Sequence, residues 1–144
     1  IDFAIFTFAS SSGIDDQLVL AHNAGRSIRG ALFTSQANQT WAATSTLRTA
    51  GLSLFLVPRY GLPIPKPRKL HHKLMVIDEQ LIIAGSFNYT KPANQLNDEN
   101  IIIIGDLDST DQDSIQKQKE LAGFALAEID RMISSFGVHL DPNE

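Results

Sequence analysis

The first 57 residues alternate between short apolar segments and segments with helical character, and this alternation restricts the fold more than any other feature. Residues 2–8, 27–34 and 53–57 have strand length and are rich in aromatic, aliphatic and β-branched side chains. The segments 14–23 and 39–50 lie between them, and a glycine follows each. A β-α-β-α-β order implies parallel strands joined by right-handed crossovers.

The rest of the chain predicts a hairpin, a further strand and a long helix. The segment 58–70 interrupts the pattern through Pro63, Pro65 and Pro67, because proline cannot pair within a central strand. We predict strands at 71–77, 81–85 and 100–105, a loop at 90–98, and an amphipathic helix at 110–136. The sequence therefore predicts a single α/β domain over 1–144, in which helices flank a mixed, mostly parallel β-sheet.

Composition places this domain among ordinary globular proteins. Of its 144 residues 43 % are apolar and 19 % are charged, which argues against a disordered or fibrous chain. The lack of cysteine excludes disulfides, cysteine metal sites and a thiol nucleophile. The chain opens without methionine, directly in an apolar strand, so we expect residues to be missing upstream. Both a cytoplasmic and a periplasmic location remain open.

One basic segment stands out in a chain of net charge −4. Residues 59–73 contain five lysines and arginines and no acidic residue. Two interpretations apply, a solvated loop or a local site for an anionic substrate, and composition alone favours the loop. The residues of this basic strip that would contact substrate are Arg59, Lys66, Arg68 and Lys69.

The hairpin predicted at 71–85 brings polar side chains together. Alternate residues of a strand share a face, so His71 and Lys73 project from the same side. If the turn is even-numbered and centred on residues 79–80, Lys73 faces Ser86 and His71 faces Asn88, with Cβ atoms about 5 Å apart. An imidazole, an ammonium, a hydroxyl and an amide would then form one patch, which suits a tetrahedral oxyanion such as phosphate.

The same parity places two neighbouring residues on the opposite face. His72 projects away from the patch, as does Asp78, to which we assign a structural role at the turn or the sheet edge. A metal site formed by His71, His72, Asp78 and Glu99 is the weaker interpretation, because adjacent histidines on a strand point apart. We interpret His22, His72 and His139 as ordinary surface or core residues.

The spacing of these residues resembles a known motif. The pattern H-x-K-x4-D-x6-G-S-x-N, which runs from His71 to Asn88, is similar to the HKD motif of the phospholipase D superfamily. Residues 85–91 and 97–100 resemble the small bacterial nucleases of that superfamily, which carry a single motif. The resemblance covers most of the chain, is sharpest over about residues 69–104, and implies a phospholipase D-like fold.

The resemblance also implies roles for individual residues. His71 would be the nucleophile that forms a phosphohistidine, and Glu99 would accept the proton of its other ring nitrogen. Phosphoryl oxygens would be bound by the side chains of the same patch. The implied catalytic residues are His71, Lys73, Glu99 and the motif residue Asp78, and the implied phosphate-binding residues are Lys73, Ser86 and Asn88.

A single motif supplies one histidine, whereas the implied mechanism also needs an acid. The resemblance implies a homodimer in which two copies each contribute His71 to an active site at their interface, with no metal or cofactor. We therefore expect a metal-independent phosphodiesterase, an endonuclease that cleaves DNA or RNA. The alternatives are a lipid phosphodiesterase or phosphatidyl transferase, and one half of a longer protein with two motifs.

Overall fold

A computed structural model describes residues 1–59 and 69–141. Seven strands and five helices, with one 3₁₀ turn at Ser10–Ser12, make up this part of the chain. The strands are β1 Asp2–Ile5, β2 Arg29–Phe33, β3 Ser53–Val57, β4 Lys73–Ile77, β5 Leu81–Gly85, β6 Ile101–Ile104 and β7 Val138–Leu140. The helices are α1 Ile14–Asn23, α2 Thr34–Ala37, α3 Thr44–Thr49, α4 Lys91–Gln95 and α5 Gln112–Phe136.

The strands form one mixed sheet in the order β6-β5-β4-β1-β2-β3-β7. The parallel pairing of β1, β2 and β3 confirms the prediction from the first 57 residues. The other four strand pairs are antiparallel, so the sheet is mixed as predicted, but antiparallel rather than parallel pairing predominates. Strand β4 joins β1 in the antiparallel direction and adds the hairpin and β6 to that side of the sheet.

Each face of the sheet has its own hydrophobic core. Residues from α1 and α3 pack with Phe3, Ile5 and Met75 on one face. Helix α5 packs on the other face, where its Ile129 and Met132 are completely or almost completely buried. The two cores fix the sheet between helix layers, and they leave the strand ends free for polar side chains.

Two predicted segments differ from the structure. The helix predicted at 39–50 is shortened to α3 at Thr44–Thr49, because threonine and serine are weak helix formers, and the short helix α2 precedes it at Thr34–Ala37. The loop predicted at 90–98 contains the short helix α4, which the side chain of Thr90 caps by accepting a hydrogen bond from the Ala93 amide. Strand β7 was not predicted, because three residues after a long helix carry little signal.

The register of the β4–β5 hairpin also differs from the prediction. Ile77 pairs with Leu81 and Leu74 with Ala84, one residue away from the predicted pairs. Asp78 and Glu79 both have positive φ, as a tight type I′ turn requires. The following residue, Gln80, is an extra residue without a pairing partner on β4. The Gln80 side chain is buried and donates a hydrogen bond to the Asp106 carbonyl at 2.6 Å. Ser86 therefore does not directly face Lys73.

The packing of Phe3 on Gly30 generates a test of the fold. A Cβ at Gly30 would lie 2.1 Å from the Phe3 ring, so Gly30→Ala must displace a buried ring. We expect Gly30→Ala to lower the free energy of unfolding by about 1–3 kcal/mol in urea denaturation. Gly123→Ala on α5 is the matched control, because a Cβ at this position meets nothing within 4 Å. This substitution should raise the free energy of unfolding by about 0.5–1 kcal/mol, since alanine favours the helix more than glycine does. Equal effects of the two substitutions would contradict this packing.

Candidate active site

The end of β1 brings two distant segments of the chain together. The Phe6 amide donates a hydrogen bond to the His72 carbonyl at 2.8 Å. The next residue, Thr7, accepts a hydrogen bond from the Tyr89 amide at 3.1 Å through its carbonyl. Phe6 and Thr7 therefore lie between the segment that carries His71 and the segment that carries Asn88. These hydrogen bonds lie past the last residue of β1.

His71 is exposed and surrounded by positive charge. Its ring nitrogens lie 3.3 and 3.4 Å from the Lys73 ammonium, which also donates a hydrogen bond to the His71 carbonyl at 3.0 Å. Partial burial lowers the pKa of His71 below its usual value, and the charges of Lys73 and Lys69 lower it further. The imidazole is therefore neutral at pH 7, which leaves a lone pair available for nucleophilic attack.

The aromatic ring of Phe6 forms the base of this cluster. The His71 ring packs against it with centroids 4.6 Å apart, and the ammonium groups of Lys69 and Lys73 each lie 5.2 Å from its centroid. Cations are attracted to the face of an aromatic ring, so Phe6 partly offsets the repulsion between the two lysines. Phe6 falls within the predicted strand 2–8, and its sequence position does not indicate this role, because the contact depends on where the strand ends.

Ser86 and Glu99 form a second linked group next to Lys73. The Ser86 hydroxyl donates a short hydrogen bond to the Glu99 carboxylate and accepts one from the Asn100 amide at 3.0 Å. The Ser86 amide in turn bonds the carbonyl and the side-chain oxygen of Asn100. Gly85 permits this approach, because a Cβ there would lie 2.1 Å from the Asn100 carbonyl oxygen.

Glu99 interacts with Lys73, and among the described residues its carboxylate accepts hydrogen bonds from side chains other than His71. Its two carboxylate oxygens accept hydrogen bonds from Ser86 and Asn97. These bonds lower the pKa of Glu99, and the charge of Lys73 contributes as well. Burial lowers the pKa of Lys73, whereas the charge of Glu99 raises it. The carboxylate therefore fixes Ser86 and lies close enough to the ammonium to influence it.

The remaining predicted residues lie at various distances from this cluster. The Asn88 side-chain oxygen is buried and has no hydrogen-bond partner among the described residues. Asp78 occupies the hairpin turn near Ile1 and Asp2, at the other end of β4, so it does not join His71 and is placed to shape the turn. Arg59 and Lys69 line a common pocket with Phe6, whereas Lys66 and Arg68 lie outside the described residues.

His72 projects to the opposite face, as predicted from strand parity, and is bound to helix α5. Its Nε2 atom lies 2.7 Å from the Glu128 carboxylate, which Arg131 holds through two hydrogen bonds of 2.8 Å. Hydrogen bonding to Arg131 lowers the pKa of Glu128, so this residue remains ionised. No sequence pattern indicated Glu128, because 56 residues separate it from His72. The pair fixes the residue next to His71 to a helix anchored in the core.

The other histidines are remote from His71. His139 lies on β7 and packs against Phe55, at the opposite edge of the sheet from β6. His22 lies near Gly51, at the end of α3. Within the described ranges, no three His, Asp or Glu side chains converge as metal ligands. The four histidines of the sequence are all described, so none of them can act as a second imidazole beside His71 in the same copy.

Comparison with known proteins agrees with this geometry. The family model described as "Cardiolipin synthase, PLD-like domain" matches residues 1–119, which is most of the chain. The chain belongs to the phospholipase D-like family. The mixed sheet flanked by helices is the fold expected from the HKD-like motif, so the predicted family and fold class are confirmed.

Relatives of this phospholipase D-like chain have names from lipid chemistry. A mitochondrial cardiolipin hydrolase of Xenopus laevis is 32 % identical over 110 residues, which cover 74 % of this chain and 47 % of the relative. The similar protein of Chlamydomonas reinhardtii is 28 % identical over 106 residues, covering 74 % and 44 %. A phospholipase D of Rickettsia conorii is 31 % identical over 97 residues, covering 67 % and 45 %. The chain spans about half the length of the curated relatives it matches.

Two solved structures have the same fold as this chain. Nuc from Salmonella typhimurium, a phospholipase D family member, superimposes with a TM-score of 0.77 at 20 % identity. The match covers 96 % of this chain and 79 % of Nuc. NucT from Helicobacter pylori gives a TM-score of 0.74 at 18 % identity, covering 96 % and 83 %. At these identities the structures establish the fold alone. No helix in the described ranges combines the length and the apolar character needed to cross a membrane.

The electrostatics of His71 can be tested by NMR titration. We expect its imidazole to titrate below the usual histidine pKa of about 6.5, because partial burial and the nearby cations both disfavour the charged form. Removing one of those charges in Lys73→Met should raise the pKa of His71. Lys119→Met, on helix α5, is the matched control and should leave it unchanged. A wild-type pKa above the usual value would contradict the arrangement of cations described here.

Proposed function

We propose that this chain is a metal-independent phosphodiesterase that cleaves nucleic acid through a phosphohistidine at His71. The observation that carries the proposal is the exposed imidazole of His71 in contact with the Lys73 ammonium, and the lowered pKa of this imidazole supports it. The imidazole supplies an electron pair, and the ammonium can bind a phosphoryl oxygen next to it. The Ser86 hydroxyl adds a third group on the side of Lys73 near Glu99.

In the first step, a ring nitrogen of His71 attacks phosphorus and the bond to one ester oxygen breaks. Lys73 stabilises the negative charge that develops on the non-bridging oxygens, because its ammonium already lies beside the attacking ring. The departing alkoxide takes a proton from a general acid and leaves as an alcohol. In the second step, water loses a proton to the same group and attacks phosphorus, which releases a phosphomonoester and restores His71.

The general acid in this proposal is His71 of a second copy. The other histidines of the same copy are too remote or project to the other face. A two-fold axis near the site would place two identical imidazoles on opposite sides of one phosphate, one neutral and one protonated. The negative charge of the bound phosphate favours protonation of the second imidazole, because it offsets the surrounding lysines.

An apolar surface next to Lys73 supports an interface at this position. Ile101 and Ile103 on β6 have 51 % and 62 % of their surfaces exposed, and they lie on the face of the sheet that carries Ile83. A pocket of about 240 Å³ in this face is lined almost entirely by apolar side chains, with Lys73 at its polar end. A second copy that covers this surface would bury apolar area and complete the site at the same time.

Nucleic acid is the substrate that the charges favour, although a lipid remains the second candidate. Arg59 and Lys69 extend the positive charge beyond His71, as a backbone with repeated phosphates requires. The apolar pocket beside Lys73 is the observation that favours a lipid, since it could also hold part of an acyl chain. The named activities of the curated relatives point in the same direction. Release of choline from phosphatidylcholine vesicles, without nicking of DNA or cleavage of RNA, would show that the substrate is a lipid and not a nucleic acid.

The central experiment measures cleavage without free divalent metal. We expect the purified protein to nick plasmid DNA or cleave RNA in EDTA between roughly pH 5 and 8, where imidazole changes charge. His71→Ala should reduce the rate by at least about a thousandfold, because it removes the nucleophile. His139→Ala is the matched control and should retain full activity, since His139 is exposed on β7. Loss of activity in EDTA, or full activity of His71→Ala, would exclude the proposed chemistry.

The interface can be tested separately by size-exclusion chromatography and activity at several protein concentrations. We expect a dimer that Ile103→Lys converts to an inactive monomer, because a charge would be buried in an apolar contact. Phe124→Lys on α5 is the matched control, because Phe124 is 77 % exposed and is not part of the β6 surface. A monomeric wild-type protein with full activity would eliminate the second copy as the source of the acid. A monomeric, inactive wild-type protein would favour half of a two-motif protein.

A further inference from the structure

A second pocket adjoins His71 through the ring of Phe6. Its volume is about 440 Å³, and Phe6, Phe33, Ser35, Arg59 and Lys69 line it. The strands β1 and β2 bring the two phenylalanines to this end of the sheet, where their rings stack with centroids 5.5 Å apart. Phe6 is therefore shared by the pocket and the His71 cluster. A molecule bound at His71 can extend into this pocket without leaving the protein surface.

The lining combines positive charge with an apolar floor. Two of the five lining residues are cationic and none is acidic. The stacked rings of Phe6 and Phe33 keep water away from one side of the pocket, which strengthens the attraction between the cations and an anion. Arginine can bind two oxygens of a phosphate with parallel hydrogen bonds, and lysine adds a mobile point charge. The pocket thus has the composition of a phosphate site.

We propose that this pocket binds a second phosphate of the substrate, next to the phosphate that His71 attacks. The inference rests on the proposed function, because it takes Lys73 and His71 as the site of the reacting phosphate. Lys69 and Arg59 would hold the second one. Both lysine ammonium groups lie 5.2 Å from the same ring centroid, so their separation cannot exceed twice that distance. Neighbouring phosphates of a flexible strand can span such a separation.

A stacked base is a less suitable occupant than a phosphate. The Phe6 ring already contacts His71 and two ammonium groups, which leaves little of its faces for a base. Phe33 is 5 % exposed, so it offers no platform for stacking. A phosphate needs only the cations above this floor. The second phosphate can come from the adjoining nucleotide of a strand or from a lipid with two phosphates, and the two sources share the chemistry proposed here.

The test compares substrates that differ by one phosphate. We expect the wild-type protein to cleave trithymidine diphosphate with a kcat/KM per bond at least about tenfold above that for dithymidine monophosphate. Lys69→Ala and Arg59→Ala should each reduce this preference about tenfold, the effect of losing one charged hydrogen bond. They should also reduce the slope of log kcat/KM against log salt concentration by about 0.7.

Two further variants keep the test specific. Ser35→Asp should also reduce the preference, because it places a negative charge in the pocket and leaves both cations intact. Lys119→Ala removes a positive charge from α5 and should leave the preference unchanged, as the control for the net charge of the protein. If Lys69→Ala and Arg59→Ala slow both substrates equally, these residues act only on the reacting phosphate and the second site does not exist.

Binding measurements separate this inference from the proposed function. His71→Ala protein should bind trithymidine diphosphate about tenfold more tightly than dithymidine monophosphate by isothermal titration calorimetry, whether or not the wild type cleaves either. Equal affinities for the two nucleotides, together with equal affinities for phosphatidylglycerol and cardiolipin vesicles, would overturn the second site, whereas absence of cleavage alone would overturn only the chemistry. Vesicles of phosphatidylglycerol and of cardiolipin provide the lipid arm. A preference for cardiolipin that Lys69→Ala abolishes, with no preference among the nucleotides, would assign the second phosphate to a lipid.

Discussion

Two backbone hydrogen bonds at the end of β1 hold the active-site segments together. Phe6 binds the carbonyl of His72, and Thr7 binds the amide of Tyr89. Neither segment belongs to a regular strand at this point, so the sheet ladder alone would not fix His71 relative to Asn88. Strand β1 is itself held between β2 and β4, with Phe3 and Ile5 completely buried. The buried central strand β1 thus fixes the positions of the segments that carry His71 and Asn88.

The site concentrates positive charge in the absence of substrate. Lys69 and Lys73 share one aromatic ring, and both lower the pKa of the imidazole between them. Glu99 is the acidic residue that interacts with Lys73, and its oxygens are already engaged by Ser86 and Asn97. An incoming phosphate would relieve the repulsion among the cations, so part of the binding energy comes from the unfavourable charge of the empty site. The same anion would make protonation of an imidazole easier once substrate is present.

The features that could be predicted from the sequence are those that depend on local periodicity. The alternation of a strand places Lys73 beside His71 and directs His72 to the other face, and the structure has both. The alternating pattern of strands and helices likewise predicted the parallel core of the sheet. The position of Ser86 could not be predicted in the same way. It depends on Gln80 leaving the ladder to bind Asp106, a partner 26 residues away, and one extra residue changes every later pairing.

Other features depend on contacts between distant parts of the chain. The attachment of His72 to Glu128 requires helix α5 to cross the sheet at the right position, which no local pattern specifies. The hydrogen bonds from Ser86 and Asn97 to Glu99 were not predicted, because they accompany a close approach of the Asn100 backbone that Gly85 allows. Phe6 was identified only as a strand residue, since its packing against a histidine and two lysines is a tertiary arrangement.

Strand β6 has a consequence for the solubility of the protein. Its four isoleucines are all exposed, on both faces, and the strand pairs with β5 alone in the described part of the sheet. An exposed, uncharged strand of this kind at the edge of a sheet can pair with strands of other molecules and start precipitation. The solubility of the protein would therefore depend on whether another surface covers this edge.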